Sequence, residues 1–506
     1  MRKPKLLALA AVLALGVLLA LLLTAEAAAP DATIVSVPSA LWYLLATLTT
    51  VGYGDCYPVT AAGKIIGAVF QLMSLGLLGL LAGMLAVFLR GTAWERLRLT
   101  GLSGKKWYVF SEWNEASRCL AEALEQEDGA RVLLFAGTRG DPGVGKATLL
   151  PAEAFCRRKK DGDFCLFCLS EDEGENERLA NQIHTGRVYC RSGVLPGKLP
   201  ENQQRFDPVA LCARRYWDRF PLRAKTEKIL LIGDGALAAA ILEQGLLRNV
   251  VDPAQGVAYF CVGDWSEFFR LHPEPDLLLE IDPARGGRDT LKVLAHWDED
   301  PALLRQADRI VFCWDDEDRT RRELGRLRRY FPVSCPVQAR LSEPLEGADC
   351  FGGAAELYTP ELVMQEARSA LARALHERYR QDHPEAAPWE ALSDFTRRSN
   401  LAAADHLRVK LGLLARAEGT VPGPEEALAR YRDATPEERE RFRRIEHARW
   451  RRFHILYGWR WAETRDDLKR LHPLLVPFDR LSPGAQRQQD DSWELLAVMG
   501  GNSHEN

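Results

Sequence analysis

The sequence predicts a membrane-embedded helical part followed by two doubly wound α/β units and a C-terminal α-helical domain. Three observations carry this. Long apolar runs are concentrated before Arg90, two buried-strand starts open at Lys106 and Lys228, and from Thr359 onward the apolar spacing turns helical. A chain of 506 residues has room for three or four domains. Its formal net charge of −4, with both signs mixed after Arg90, gives no nucleic-acid signal. The 11 cysteines are an odd number, which argues against an extracellular disulfide framework.

Leu6 to Ala25 carries no charge and, at ~1.5 Å per residue, reaches across ~30 Å of hydrocarbon. Met1-Arg2-Lys3-Pro4-Lys5 before it and Ala25-Glu26-Ala27 after it also fit a cleavable secretory signal. The run is longer than the ~7 to 15 apolar residues of a signal core, so a retained first span over 6–25 is expected. A second span is expected over 65–89. Its Gly76, Gly79 and Gly83 share one helical face, either as a close-packing seam or as a site of bending. Lys and Arg flank both spans on the outer sides and are absent between Glu26 and Gly63, so both termini are expected in the cytoplasm. The intervening loop, with Glu26, Asp31 and Asp55, is external and acidic. Pro38-Ser39 marks the start of a short helix over 39–48 that enters the membrane and stops there.

Thr49-Thr50-Val51-Gly52-Tyr53-Gly54-Asp55 follows that helix. Glycine at alternate places permits the positive-φ geometry that turns neighbouring carbonyls to one axis, where they can replace the water shell of a cation. Thr50-Val51-Gly52-Tyr53-Gly54 resembles the selectivity filter of potassium channels. The resemblance implies potassium coordination by the carbonyls of Thr50, Val51, Gly52 and Tyr53 with the Thr50 hydroxyl, four chains around one axis, a pore helix at 39–48, and Gly76 or Gly79 as gate hinge. It also places Trp42 and Tyr43 in an aromatic cuff. Ala46 stands where some relatives carry a carboxylate behind the filter. The expected pore domain is 1–92. No helix carries arginine at every third position, which speaks against voltage sensing.

Lys106 to Phe110, Glu115 to Glu127 and Arg131 to Ala136 read as strand, helix and strand. A second such start runs from Lys228 through Gly233-Asp234-Gly235-Ala236 to a strand at Val257 to Val262. Phe164 to Leu169 and Ile310 to Trp314 are each followed by an acidic turn and a polar helix, so an internal duplication is expected. Cys165 and Cys168 lie within the first of these apolar runs and read as core strand. A two-span channel followed by such repeats resembles the channels with regulator-of-potassium-conductance domains. This implies tandem Rossmann-like domains, at 105–222 and 226–345, which move the inner helices when ligand binds.

The first unit has Ser111-Glu112-Trp113-Asn114-Glu115 in place of a glycine-rich turn, and its acids would repel a pyrophosphate. The second keeps Gly233-x-Gly235-x-x-Ala238, with Asp264 as a candidate for a ribose hydroxyl. Nucleotide binding and a tight packing turn are both open readings there. Gly140-Asp141-Pro142-Gly143-Val144-Gly145-Lys146 imitates a phosphate-binding loop, but Ala147 replaces the required hydroxyl and Pro151 would cut the following helix short.

A helical region is expected over 359–420, with helices at Glu361 to Arg380 and Trp389 to Ala417. Ile445-Glu446-His447-Ala448-Arg449-Trp450, Tyr457-Gly458-Trp459 and the later Arg465 to Pro473 resemble the ryanodine-receptor-type repeat, over 430–485. Trp461-Ala462-Glu463 departs from that pattern. Glu446, His447, Arg449 and Trp450 either cradle a phosphorylated ligand, a nucleotide or cyclic dinucleotide, or belong to the domain core. The expectation is a homotetrameric potassium channel of the bacterial inner membrane, gated by a small cytoplasmic ligand and without enzymatic activity. The alternative is a membrane-anchored nucleotide-binding sensor or enzyme with a non-conducting membrane part.

Overall fold

The computed structural model describes residues 16–72, 83, 86, 106–126, 131–136, 147–150, 164–193, 200–252, 256–272, 289–364, 366–415 and 421–501. Two compact units, Met1–Gly104 and Lys105–Asn506, divide the chain. The expected spans at 6–25 and 65–89 extend beyond the described residues, and Gly76 and Gly79 lie outside them. Among the described residues no helix is long and apolar enough to cross a membrane.

In the first unit, residues 16–26 and 61–72 are helical and flank α1 (Val37–Leu48). This helix starts two residues before the expected 39–48. The reason is Ser36, whose side chain caps the helix by accepting the Ser39 amide, while Ser39 reciprocates toward the Ser36 amide. Pro38 sits in the first turn, where its missing N–H costs no hydrogen bond. Leu22, Ile34, Ala40, Leu44 and Phe70 close a small core.

The second unit opens with β1 (Lys106–Phe110), α2 (Glu115–Gln126), β2 (Arg131–Ala136), β3 (Ala147–Leu150) and β4 (Phe164–Cys168). It continues through α3 (Glu173–Asn181), β5 (Arg187–Arg191), β6 (Gln203–Phe206) and α4 (Pro208–Arg219). These strands form one parallel sheet in the order β3-β2-β1-β4-β5-β6, the Rossmann arrangement. Ala147–Leu150 is thus a strand in register with β2, not the helix start that a phosphate-binding loop requires.

The arrangement recurs in β7 (Lys228–Ile232), α5 (Ala236–Arg248), β8 (Ala258–Val262), α6 (Ser266–Leu271), β9 (Thr290–Leu294) and α7 (Pro301–Gln306). It is completed by β10 (Arg309–Phe312), α8 (Glu317–Tyr330), β11 (Val337–Arg340) and β12 (Asp349–Phe351). The sheet order β12-β11-β10-β7-β8-β9 is the first sheet's order repeated. Its last strand in sequence, β12, lies past the expected limit of 345 and pairs in parallel with β11 at the edge of the sheet. Asp172 and Asp316 cap α3 and α8, which follow the equivalent strands β4 and β10.

The two α/β halves share a core. On α4, Leu211, Cys212, Ala213, Tyr216 and Trp217 are buried, and Trp217 Nε1–H donates to Ile241 O at 2.8 Å, so the last helix of the first half packs on the second. The ten described cysteines are free thiols. Cys165 and Cys168 lie buried in β4, and Cys168 stands in register with Cys190 of β5.

The longer helices that follow are α9 (Glu366–Asp382), α10 (Asp394–Leu413), α11 (Pro424–Arg432) and α12 (Pro436–Leu456), with a 3-10 turn at Trp389–Ala391 between the first two. The helix expected from Trp389 therefore begins at Asp394, where Ser393 caps it. A two-stranded parallel sheet, β13 (Arg460–Trp461) with β14 (Leu471–His472), interrupts the otherwise helical end.

Candidate functional site

The stretch after α1 turns back on that helix. The amides of Val51 and Gly52 both donate to Ala46 O, at 3.0 and 3.2 Å, and the Thr49 hydroxyl donates to Leu45 O. Thr50, Gly52 and Gly54 have φ of 62°, 59° and 76°, so every second residue is left-handed. A β-branched residue pays for that conformation, which makes Thr50 strained and leaves the two glycines unstrained. Val51 and Tyr53 alternate with them and are 52% and 65% exposed in the single chain.

The flank of this stretch is braced on three sides. Trp42 Nε1–H donates to Asp55 Oδ2 at 2.7 Å, and the Trp42 and Tyr53 rings stack with centroids 5.5 Å apart. The Thr33 hydroxyl donates to Tyr57 O and accepts the Tyr57 amide, each at 2.8 Å. Glu26, fully buried, accepts the Val59 and Thr60 amides and the Thr60 hydroxyl. The sequence points to Trp42, gives no signal for Thr33, and places Glu26 among the charges of an acidic loop, whereas its carboxylate is buried and hydrogen-bonded to Val59 and Thr60. Partners 24 to 34 residues apart leave no periodic signal.

In the second α/β half, Gly233 (φ 152°) brings the turn against β10: a Cβ there would lie 2.9 Å from Cys313 Sγ and 3.0 Å from the Cys313 carbonyl carbon. Packing accounts for this glycine. A Cβ on Gly235 would meet Asp315 Oδ2 at 2.6 Å, and one on Gly263 would meet the Asp234 side chain. Asp264, the expected ribose partner, uses Oδ1 to accept the Ser266 amide at 2.9 Å, and its own amide points to Asp234 Oδ2. Three exposed carboxylates thus surround the turn. In the first half Asn114 fills the equivalent place: its Nδ2–H₂ donates to Glu112 Oε1 and to Leu169 O, and its Oδ1 accepts the Ser117 amide.

The four candidates on α12 do not form one cradle. Glu446 and Arg449 are buried and point to one cluster, with Arg449 Nη2 at 2.6 Å from Glu446 Oε1 and Lys410 Nζ at 3.0 Å from Glu446 Oε2. Lys410 also donates to Ser492 O and Ser492 Oγ. Burial lowers Lys410 to about 8 and the adjacent His406 to about 3. Burial alone would raise the Glu446 carboxyl, and the charges of Arg449 and Lys410 reverse that and hold it well below the usual carboxylate range. His447 and Trp450 face another cluster. His447 Nε2 is 2.8 Å from Val476 O, and the Trp450 ring lies 4.1 and 5.0 Å from His454 and His472. Helical spacing explains the split: one pair sits at i, i+3 on one face, the other pair one residue on. Lys410, His406, His454 and His472 were not singled out in the sequence.

Among the described residues no cluster of His, Cys, Asp and Glu is arranged to hold a metal ion.

Residues 7–91 match the family model described as ion channel. Over 164 residues the chain is 29% identical to the calcium-gated potassium channel TvoK of Thermoplasma volcanium, covering 32% of this chain and 42% of that one. Over 44 residues it is 52% identical to the human potassium voltage-gated channel subfamily A member 6, covering 9% of this chain and 8% of that one. The chain therefore spans less than half the length of either relative. Among solved structures, the GsuK channel bound to NAD aligns with a TM-score of 0.38 and 13% identity, over 74% of this chain and 86% of that one. The relatives in sequence are potassium channels, and residues 7–91 of this chain match an ion channel domain.

Proposed function

We propose that four copies of this chain form a potassium-selective channel of the bacterial inner membrane, with both termini cytoplasmic. The reading is carried by one observation: Thr50-Val51-Gly52-Tyr53-Gly54 leaves the end of α1 with left-handed φ at every second residue. Such alternation is what lets successive carbonyls share one axis. Thr50, Val51, Gly52 and Tyr53 then supply the potassium-coordinating oxygens. One chain offers one strand of carbonyls, so a ring needs four. The exposed apolar residues Val17, Leu21, Leu41, Leu45, Ile65 and Leu72 fit contact with lipid and with the other copies.

The cytoplasmic α/β halves and the ryanodine-receptor-repeat-like region at 430–485 act as the ligand-sensing gate, with Gly76 or Gly79 as the hinge. A ligand opens such a pore only as far as it binds the open state more tightly, by ~1 to 3 kcal/mol in typical cases. Proteoliposomes loaded with potassium test the reading. The expected result is a potassium flux well above the sodium flux, abolished or made unselective by Gly54→Ala. Equal fluxes of the two ions through the wild type would overturn it.

A further inference from the structure

Three residues form a row across neighbouring strands of the first sheet. Cys168 closes β4, Cys190 stands beside it in β5, and Arg205 stands beside Cys190 in β6. In-register neighbours project to the same face, and here it is the face that α3 covers, where Arg205 Nη1 reaches Glu177 Oε1 at 2.6 Å. Both thiols are fully buried and lie within hydrogen-bonding reach of each other. Neighbouring strands stand ~4.8 Å apart, inside the ~4.4 to 6.8 Å between Cα atoms that a disulfide spans.

This pair differs from the other buried thiols. Burial pushes the Cys212 thiol up to about 12, and it raises Cys261 and Cys313 in the same way. At Cys190 the hydrogen bond with Cys168 brings the thiol down against burial, and the Arg205 charge adds to it. Cys168 is raised by the same bond and by burial, so it is the partner that keeps its proton. The Arg205 side chain is 3% exposed, and its buried Nε–H has no acceptor among the described residues. A buried cation with a spare donor suits an anion on its neighbour, which a Cys190 thiolate supplies. Access comes from the side: β6 is the edge of the sheet, held by its ladder to β5, so the row opens when that strand lifts, without unfolding the core.

We propose that Cys168 and Cys190 are a redox-active dithiol that hydroperoxides oxidise to a disulfide across β4 and β5, with Arg205 holding the attacking Cys190 sulfur as its thiolate. With hydrogen peroxide, the Cys190 sulfur attacks one oxygen and the O–O bond breaks. The other oxygen leaves as hydroxide, takes up the proton that Cys190 gave up, and departs as water. The Cys168 sulfur then attacks the sulfenic sulfur, the S–O bond breaks, and that oxygen leaves with the Cys168 proton as a second water. Two thiols thus give two electrons to one peroxide. A soluble thiol reverses the bond by exchange, as the transience of disulfides in a reducing compartment requires. The bond stitches the end of β4 to β5 beside the turn that Asn176 holds through Ser170 O and Arg191 O.

Detergent-purified full-length chain is treated with hydrogen peroxide, its remaining thiols are capped with N-ethylmaleimide after denaturation, and its peptides are mapped by mass spectrometry. The expected product is a peptide linked through Cys168 and Cys190, removed by dithiothreitol and formed at peroxide levels that leave Cys212 and Cys261 reduced. Cys190→Ser should abolish the link. Arg205→Met should slow its formation several-fold, and Arg205→Lys, which keeps the charge, should retain most of the wild-type rate. Cys168 and Cys190 still fully capped once Cys212 or Cys261 is oxidised would overturn the proposal. So would a rate in Arg205→Met equal to or above that of the wild type, since the arginine would then only hold the edge strand closed.

Discussion

The two α/β halves have the same strand order and the same capped helix after the fourth strand, yet they differ at both ends of their sheets. At the carboxyl end the first half closes its turn with Asn114, and the second with Gly233 pressed on Cys313. At the amino end the fourth strand begins with Phe164 in one half and Arg309 in the other. Phe164 lies against Gly186, where a Cβ would come within 2.7 Å of its ring. Arg309 instead pairs with Glu227 at 2.8 Å, both almost wholly buried, and donates to Phe220 O and Pro221 O in the connector between the halves. A duplicated sheet thus keeps its topology through its apolar strands, while the ends are free to diverge. The second half also carries the helical region: Arg452 of α12 donates to buried Asp289 at 2.6 Å, and Tyr457 donates to Glu243. The helical region reaches the first half too, where Arg408 of α10 pairs with Asp218 of α4 at 3.7 Å.

The largest expected effect tests that difference at the amino end. Arg309→Ala leaves Glu227 as a buried charge that has lost its cation, and should cost ~3 to 5 kcal/mol in denaturant unfolding of the unit Lys105–Asn506. Replacing both residues by apolar ones of similar size, Arg309→Met with Glu227→Leu, should cost clearly less than the single change. If the double variant is as unstable as the sum of the two singles, the pair is not an isolated exchange for the packing of Phe164.

Much of this organisation is legible in the sequence because it is local. The runs Lys106 to Phe110 and Lys228 to Ile232, and the acidic turns ending at Asp172 and Asp316, announce strands and helix starts by period and by capping. What escapes is set by distant pairing. Glu26 and Thr60, Lys410 and Glu446, and Arg309 and Glu227 are each brought together from far apart in the chain. Polar β6, Gln203–Phe206, is a strand only because β5 offers it an edge. Gly233 and Gly235 look alike in the sequence, and only their neighbours distinguish them. Ser36 was available as a capping signal three residues before Ser39, but Pro38 drew the expected start inward.

Those two glycines provide the second test. At Gly233 an alanine would meet a φ of 152° and the Cys313 backbone, which cannot yield, so Gly233→Ala should cost ~2 to 3 kcal/mol. At Gly235 the φ is −90° and the obstacle is the side chain of exposed Asp315, which can swing aside. Gly235→Ala should therefore cost less than ~1 kcal/mol. Equal losses at the two positions would mean that the turn is not held by its packing on β10.

The third test concerns the matching turn of the first half. Asn114 does two things with one side chain: Oδ1 caps α2 through the Ser117 amide, and Nδ2 ties the turn to Leu169 O at the end of β4. Asn114→Ala removes both and should cost ~1 to 2 kcal/mol. Asn114→Asp keeps the capping oxygen but loses the donor to Leu169 O and places a second carboxylate beside Glu112. A loss in the aspartate variant close to that of alanine assigns the stability of the turn to the bridge across the sheet. A near-wild-type aspartate variant assigns it to the cap, and the first half would then close its carboxyl end by a local helix start, where the second half does so by packing Gly233 against its neighbouring strand.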